Sequence, residues 1–283
     1  VRFSDNEGRV YVRQSYLNDL ILCPERARLG VVRKDMRVGS DATIMGTAVH
    51  SAIELVLGAG VNRDDMVAHG LEKFAELRET TQWRETNIDP DKYEVFIDSM
   101  CGSWYDEIMP EVEFGGHIEM PFKFPLGMTV GNWAVWCEGT MDYVDPNGVV
   151  WDWKTASRSY NALEKQRTSI QATVYSSAIV ELGMKEDFPV TFRYGVMIRQ
   201  AKPRAQIVTV HRTNSHYRWL QHSVSPAIQS SILIGEDNRW MTNDSHHLCS
   251  ERWCSFWSIC KGAYMSPSDM SLPIVDMPLD SVE

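Results

Sequence analysis

Apolar residues recur along this chain at two periods, and the switches between them divide it into elements. Leu17, Leu20, Ile21 and Leu29 keep a roughly helical spacing after Ser15, which is the expected N-cap. Cys23-Pro24 interrupts that stripe, and a proline there kinks or restarts the helix. Ile44, Val49, Ile53 and Val56 recur every three to four residues and predict a helix over 40–57. Further helices are expected over 63–81, 90–109, 160–182 and 214–234. The 90–109 helix carries Tyr93, Phe96, Ile97, Met100, Trp104 and Ile108 as a core stripe, with Cys101 a buried thiol upon it. Alternating segments read as strands over 9–12, 117–124, 149–155, 190–200 and 205–212, with one or two more over 128–144. Cys137 falls inside the 128–144 segment as a structural residue.

One stretch carries chemistry as well as pattern. Residues 138–145 alternate apolar and polar positions and end at Asp142 and Asp145; Pro146-Asn147-Gly148 then makes a tight turn into VVWDWKT. Asp152 and Lys154 lie two apart, so on a strand they share a face with Val150. Strand–turn–strand geometry brings the Asp142 carboxylate toward that of Asp152. Two carboxylates and an ammonium are costly to bury without partners. A divalent cation relieves the repulsion between the acids, and the lysine can neutralise an anion beside it. That is the chemistry of metal-assisted phosphodiester hydrolysis. The bland alternative is a hairpin bearing two solvated acids and a lysine.

Gly139-x-x-Asp142, Asp152-x-Lys154 and Gln171-x-x-x-Tyr175, in that order, resemble the PD-(D/E)XK nuclease superfamily in its RecB-like branch. The resemblance implies an α/β fold with a restriction-endonuclease-like core, a mixed central β-sheet flanked by helices. Gly46-x-x-x-His50 matches the family's histidine motif, in which the imidazole is a metal ligand, and Glu119 lies where the family carries an acidic residue. By this resemblance His50, Asp142, Asp152 and the backbone carbonyl of Trp153 hold a metal, with Glu119 a weaker additional ligand. Lys154 orients or deprotonates the attacking water, and Gln171 and Tyr175 handle the DNA backbone beside the metals. Hard oxygen ligands plus one imidazole suit Mg²⁺ or Mn²⁺ better than zinc.

The cysteines add a second signal. Cys23 stands alone near the start, and Cys249, Cys254 and Cys260 cluster near the end. In an intracellular chain such clustering suggests ligation more than disulfides. One early and three late cysteines resemble the iron–sulfur nucleases of this branch, including the CRISPR-associated exonucleases. The resemblance implies a [4Fe–4S] cluster joining the N- and C-terminal segments at a four-cysteine site; a structural Zn²⁺ and unligated thiols are the alternatives. Four residues separate Cys249 from Cys254 where the family usually has two. His246 and His247 keep a mixed Cys/His site open.

Composition changes the picture modestly. The 283 residues, 43% hydrophobic with ten tryptophans, are expected to form a single nuclease domain. Within it, 14–110 is a helical part, 117–212 holds the catalytic sheet and the Gln/Tyr helix, 213–262 the last helix and the cysteines, and 263–283 a surface tail. No apolar run reads as a membrane span and the first residues lack a signal-peptide core, so the expected location is the cytoplasm of a bacterial, archaeal or phage-infected cell. A net charge of −10 has the wrong sign for a nucleic-acid enzyme, but the local field matters more than the sum. Basic residues cluster at Arg158, Lys165 and Arg167, expected with Tyr175 to touch DNA, and again at Arg193, Arg199, Lys202, Arg204 and Arg212. No G-x-x-x-x-G-K-[ST] loop is present, so any ATP coupling comes from another chain. The expected activity is exonucleolytic, on single-stranded DNA or DNA ends. The alternatives are an end-binding subunit of a recombination, repair or CRISPR-adaptation complex with little cleavage of its own, and an unrelated iron–sulfur or zinc protein.

Overall fold

The computed structural model describes residues 2–4, 7–86, 88–246 and 248–265; His247 and most of the expected tail lie outside them. Strands β1 (Arg2–Ser4) and β2 (Arg9–Arg13) open the chain. Helix α1 (Gln14–Leu22) follows β2 without a loop, so Arg13 occupies the N-cap position and Ser15 falls within the first turn. The cap assignment to Ser15 is therefore corrected: the strand runs directly into the helix, leaving no extended residue there. Pro24 restarts the helix as α2 (Pro24–Val32), sitting at the first helical position where its missing N–H costs nothing.

After the two-residue strand β3 (Gly39–Ser40), the Ser40 side chain accepts from Thr43 N and caps α3 (Asp41–Ala59). By length and composition alone α3 could cross a membrane, contrary to the sequence reading, yet eight of its residues are buried in the protein. Helix α4 (Arg63–Thr80), the short strand β4 (Trp83–Arg84) and α5 (Tyr93–Ser103) come next. The expected 90–109 helix thus ends early, passing into a π-helical turn at Trp104–Ile108 that buries Trp104 edge-on against Trp153.

Strands β5 (His117–Val130), β6 (Trp133–Val144) and β7 (Val150–Ala156) form an antiparallel meander. The expected single helix over 160–182 is two, α6 (Ala162–Thr168) and α7 (Ile170–Glu181). Ser169 divides them: its backbone leaves helical geometry and its hydroxyl accepts from Ala172 N at 3.1 Å, so local capping overrides the continuous period. Strands β8 (Val190–Ile198) and β9 (Ala205–Arg212) and helix α8 (Asn214–Ile234) complete the regular elements.

The main sheet runs β1-β2-β6-β7-β8-β9, with β5 also paired to β6. It mixes parallel pairs (β2 with β6, β7 with β8) and antiparallel ones. Alternation along β7 sends Val150 to one hydrophobic cluster, with Val174, Ile179, Val224 and Ile228, and Trp151 and Trp153 to another, with Val49, Ile53, Ile97 and Trp104. The sheet therefore has helices on both faces, as the α/β reading expects.

Candidate active site

β6 holds β5 along one edge for most of its length. Its other edge is shared: β2 pairs with Ala134–Glu138, and β7 pairs with Tyr143 and Val144. Gly139–Asp142 have no ladder partner on that edge, and the sheet forks there. The expected site residues gather at this fork.

Asp142 spans it. Its Oδ2 accepts a 2.8 Å hydrogen bond from Trp153 N on β7, beyond the last residue of β7 that pairs with β6. Asp152 is almost wholly buried. Its Oδ1 accepts from Gln171 Nε2 at 2.7 Å, and its Oδ2 is ion-paired with the Lys154 ammonium. Beyond that ion pair, Oδ2 has no hydrogen-bond partner. Gln171 also donates to the Tyr175 hydroxyl at 3.4 Å, one turn along α7. The Tyr175 ring is packed edge-on against Phe122 and tilted against Phe192, so its hydroxyl, rather than an open ring face, meets the site.

His50 reaches the fork from α3, its Nδ1 3.7 Å from Asp142 Oδ2. Gly46, one turn earlier, permits this approach: a Cβ there would lie 3.0 Å from Thr155 Oγ1 on β7. Glu119 stands beside Asp142 on β5 with φ of +47°, a left-handed conformation that a side-chain-bearing residue adopts at a cost. A cleft of 680 Å³ opens beside His50 and Lys154, lined also by Ser51, Glu54, Lys73 and Thr155.

The electrostatics are those of acids crowded away from water. Burial, only partly offset by Lys154, raises Asp152 to about 6, with the Asp142 charge pushing the same way. Asp142 is raised too, first by burial and then by Glu54, against Lys154 and the Trp153 N–H. Burial and the charges of Asp142 and Glu54 push Glu119 up to about 7. Burial, then Lys154, lowers His50 to about 4, against Asp152 and a backbone hydrogen bond at Trp153, so the imidazole is neutral at pH 7. Lys154 is raised: burial opposes its charge, but Asp152 and Asp142 outweigh it. Glu54 is the residue the motif reading left without a role, although its spacing of four from His50 placed both on one helix face.

Among the described residues no three His, Cys, Asp or Glu side chains stand ready, as placed, to share one ion. Lys154 holds one carboxylate and Trp153 N–H the other. The donor set nevertheless fits a hard divalent cation. It offers a buried and a half-buried carboxylate that repel each other, one oxygen bonded only through an ion pair, and a neutral imidazole.

Of the expected DNA contacts, Arg158 and Arg167 are exposed, and Lys165 lies 4.5 Å over the Tyr160 ring. Arg212 leaves the basic set. It is 1% exposed and donates to Thr173 Oγ1 and to the carbonyls of Lys165, Gln166 and Ser169, tying α6 and α7 to β9.

Comparison with known proteins decides the family. A model of the PD-(D/E)XK nuclease superfamily matches residues 14–261. The chain belongs to the PD-(D/E)XK nuclease superfamily. A crystal structure of a "Putative exonuclease" from Eubacterium rectale superposes with a TM-score of 0.51 at 14% identity, covering 88% of this chain and 92% of that one, a likeness of fold. The crystal structure of SSO0001 covers 93% of this chain and 89% of its own at 16% identity, with a TM-score of 0.39, too low to carry an argument. No curated protein matches. Superfamily membership removes the reading of an unrelated protein with an accidental D-x-K.

In this PD-(D/E)XK chain the four expected thiols face one chamber. Cys23, at the α1–α2 junction, and Cys249, Cys254 and Cys260 line a cavity of 360 Å³ with Phe256 and Trp257. All are free thiols. Burial raises Cys249, and Cys254 and Cys23 add to the rise; burial, then Glu25, Cys23 and Cys254, raise Cys260. Thiols that oppose one another's ionisation fit a cationic centre as donors. His246 also lines the cavity, and its Nδ1 accepts from Leu248 N at 3.1 Å. Cys101 and Cys137 are buried in the two hydrophobic clusters, away from this chamber.

Proposed function

We propose that this protein is a divalent-metal-dependent DNA nuclease, an exonuclease acting on single-stranded DNA or DNA ends, with a [4Fe–4S] cluster at its four-cysteine chamber. One observation carries the reading: Asp142, Asp152, Lys154 and His50, from three separate elements, meet where the sheet forks beside an open cleft.

His50, Asp142, Asp152 and the Trp153 carbonyl would hold Mg²⁺ or Mn²⁺, with Glu119 as a further ligand. When bound, the ion supplies an acidified water and offsets charge developing on the scissile phosphate. Gln171 fixes Asp152 through Oδ1, and Tyr175 fixes Gln171. Lys154 keeps its proton at neutral pH, which favours orienting water and stabilising the pentacoordinate phosphate over acting as the base. Arg158, Lys165 and Arg167 flank the exit of β7 and would meet phosphates. Cys23, Cys249, Cys254 and Cys260 would hold the cluster, with structural Zn²⁺ as the other occupant of the same donors. One nuclease domain with these four parts, acting in the cytoplasm, completes the reading.

The experiment is incubation with end-labelled single- and double-stranded DNA in Mn²⁺, Mg²⁺ or EDTA. Cleavage with either metal and none in EDTA is expected. Lys154→Ala should lower kcat by about 10²–10⁴-fold while leaving the circular dichroism unchanged. Wild-type rates in that variant, or cleavage in EDTA, would overturn the assignment.

A further inference from the structure

The strongest charge anomaly lies on the open face of the sheet beside the site. Outward positions alternate with buried ones along β6: Val135, Cys137 and Met141 are buried, whereas Trp136, Glu138 and Thr140 are not, and Asp142 follows at the same parity. On β5 the matching row is Pro125, Lys123, Pro121 and Glu119. On β2, Tyr11 is level with Trp136, and Arg13 with Glu138; on β1, Arg2 is level with Tyr11. Arg13 is the last paired residue before the fork. From Glu138 to Asp142 is four residues, about 13 Å at roughly 3.3 Å per residue.

Cations crowd this row. Arg2 lies 4.3 Å and Lys123 5.3 Å from the centre of the Tyr11 ring, and Arg9 lies 4.1 Å over Trp136. Glu138 alone receives Arg2 at 2.7 Å, Arg13 at 3.9 Å and Lys123 at 4.0 Å, and Glu7 takes Arg9 at 3.8 Å. At the Glu138 end of the row, among the described residues, four cations face Glu138 and Glu7, while Glu119 and Asp142 hold the row's remaining acids at the site end, in a chain whose total charge is −10. The side chains of Arg13 and Lys123 are 78% and 58% exposed, so neither is spent on its ion pair. The exposed cations of this row suit the phosphates of a nucleic-acid strand, with Tyr11 buried beneath them and Trp136 half-buried.

We infer that the outward face of β1, β2, β6 and β5 is the track along which a DNA strand reaches the fork, with Arg13 and Lys123 as its phosphate contacts nearest the site. The inference rests on the nuclease reading and locates its substrate. Phosphates held by Arg13 and Lys123 would lie a few nucleotides from the carboxylates.

The test is fluorescence anisotropy of a fluorescein-labelled oligodeoxythymidylate in EDTA over a salt series, followed by cleavage kinetics in Mn²⁺. Arg13→Ala/Lys123→Ala should weaken binding about tenfold and reduce the slope of log affinity against log salt by about 1.4, two single-strand contacts. The loss in kcat/KM should be carried by KM. Arg13→Lys, which keeps the charge, should bind like wild type. An alanine pair with wild-type affinity and salt slope overturns the track, as does wild-type protein that fails to bind. Asp152→Asn separates the two claims: it should bind the oligonucleotide and not cleave it. If wild type does not cleave, the nuclease reading fails, and if Asp152→Asn cleaves like wild type, the assignment of the fork as the site fails, whatever the face does; if wild type cleaves and Asp152→Asn does not while the alanine pair binds normally, the track alone fails.

Discussion

Asp152 concentrates the physics of this site in one side chain. It is buried, raised to about 6, and holds Gln171 through one oxygen and Lys154 through the other. Such a carboxylate weakens the fold in exchange for chemistry. Glu119 shows the same trade with a clearer handle, because it is raised to about 7 from an ordinary 4.5. A folded-state pKa above the unfolded one means that the native state binds more protons between the two. Its contribution is fully present below about pH 4.5 and is lost as pH rises through 7. In EDTA, Glu119→Gln should therefore melt with wild type at pH 5 and above it at pH 8, by a margin that solvent screening keeps small because Glu119 is exposed. Equal melting temperatures at both values would show that Glu119 feels no crowding. That His50, Asp142, Asp152 and Lys154 come together was expected from the resemblance their motifs carry. Glu54 was not, because its effect on Asp142 and Glu119 arises across α3, β6 and β5. Arg212 was misread as surface, although alternation along β9 sets it in register with the buried Val208 and Val210.

At the scale of elements, the geometry of the fork depends on how closely α3 approaches β7. Gly46 leaves no room for a large side chain against Thr155, and His50 follows one helical turn later. Gly46→Val should cost about 1–3 kcal/mol in urea denaturation through overpacking. It should weaken Mn²⁺ binding in isothermal titration by more than it lowers cleavage at saturating metal. Full metal affinity in that variant would mean that α3 tolerates displacement. Most strands and helices follow from periodicity, since alternating and helical stripes have few competing explanations. The division at Ser169 does not, because a single hydroxyl-to-backbone bond outcompetes an unbroken apolar stripe. Nor does the fork: β2 and β7, more than a hundred residues apart in sequence, share one edge of β6, and no local pattern encodes that.

For the whole molecule, the α1–α2 junction and the segment after α8 are brought together beside the cysteine chamber. Glu25 of α2 is buried, accepts from Trp240 N at 2.8 Å and pairs with Arg28, which in turn donates to the Glu236 carbonyl at 2.8 Å. Asn243 donates to the Leu22 carbonyl at 2.9 Å. These bonds dock the C-terminal segment onto the α1–α2 junction and set Cys23 opposite the three late thiols. Anaerobically purified protein should carry iron and colour. Cys254→Ala should lose both and melt at a lower temperature, while Mn²⁺ still binds at the fork. Stoichiometric zinc in place of iron would replace the cluster with a structural zinc site, and metal-free protein of unchanged melting temperature would remove both.

The most direct measurement is anomalous scattering from a crystal soaked in Mn²⁺. One strong peak is expected at the fork, within coordination distance of the Asp142 and Asp152 carboxylates and the His50 imidazole, about 2.0–2.3 Å from each ligand, and lost in Asp152→Ala. A soaked crystal with no peak there, or with Mn²⁺ bound by other residues, would contradict the assignment of the fork as the metal site.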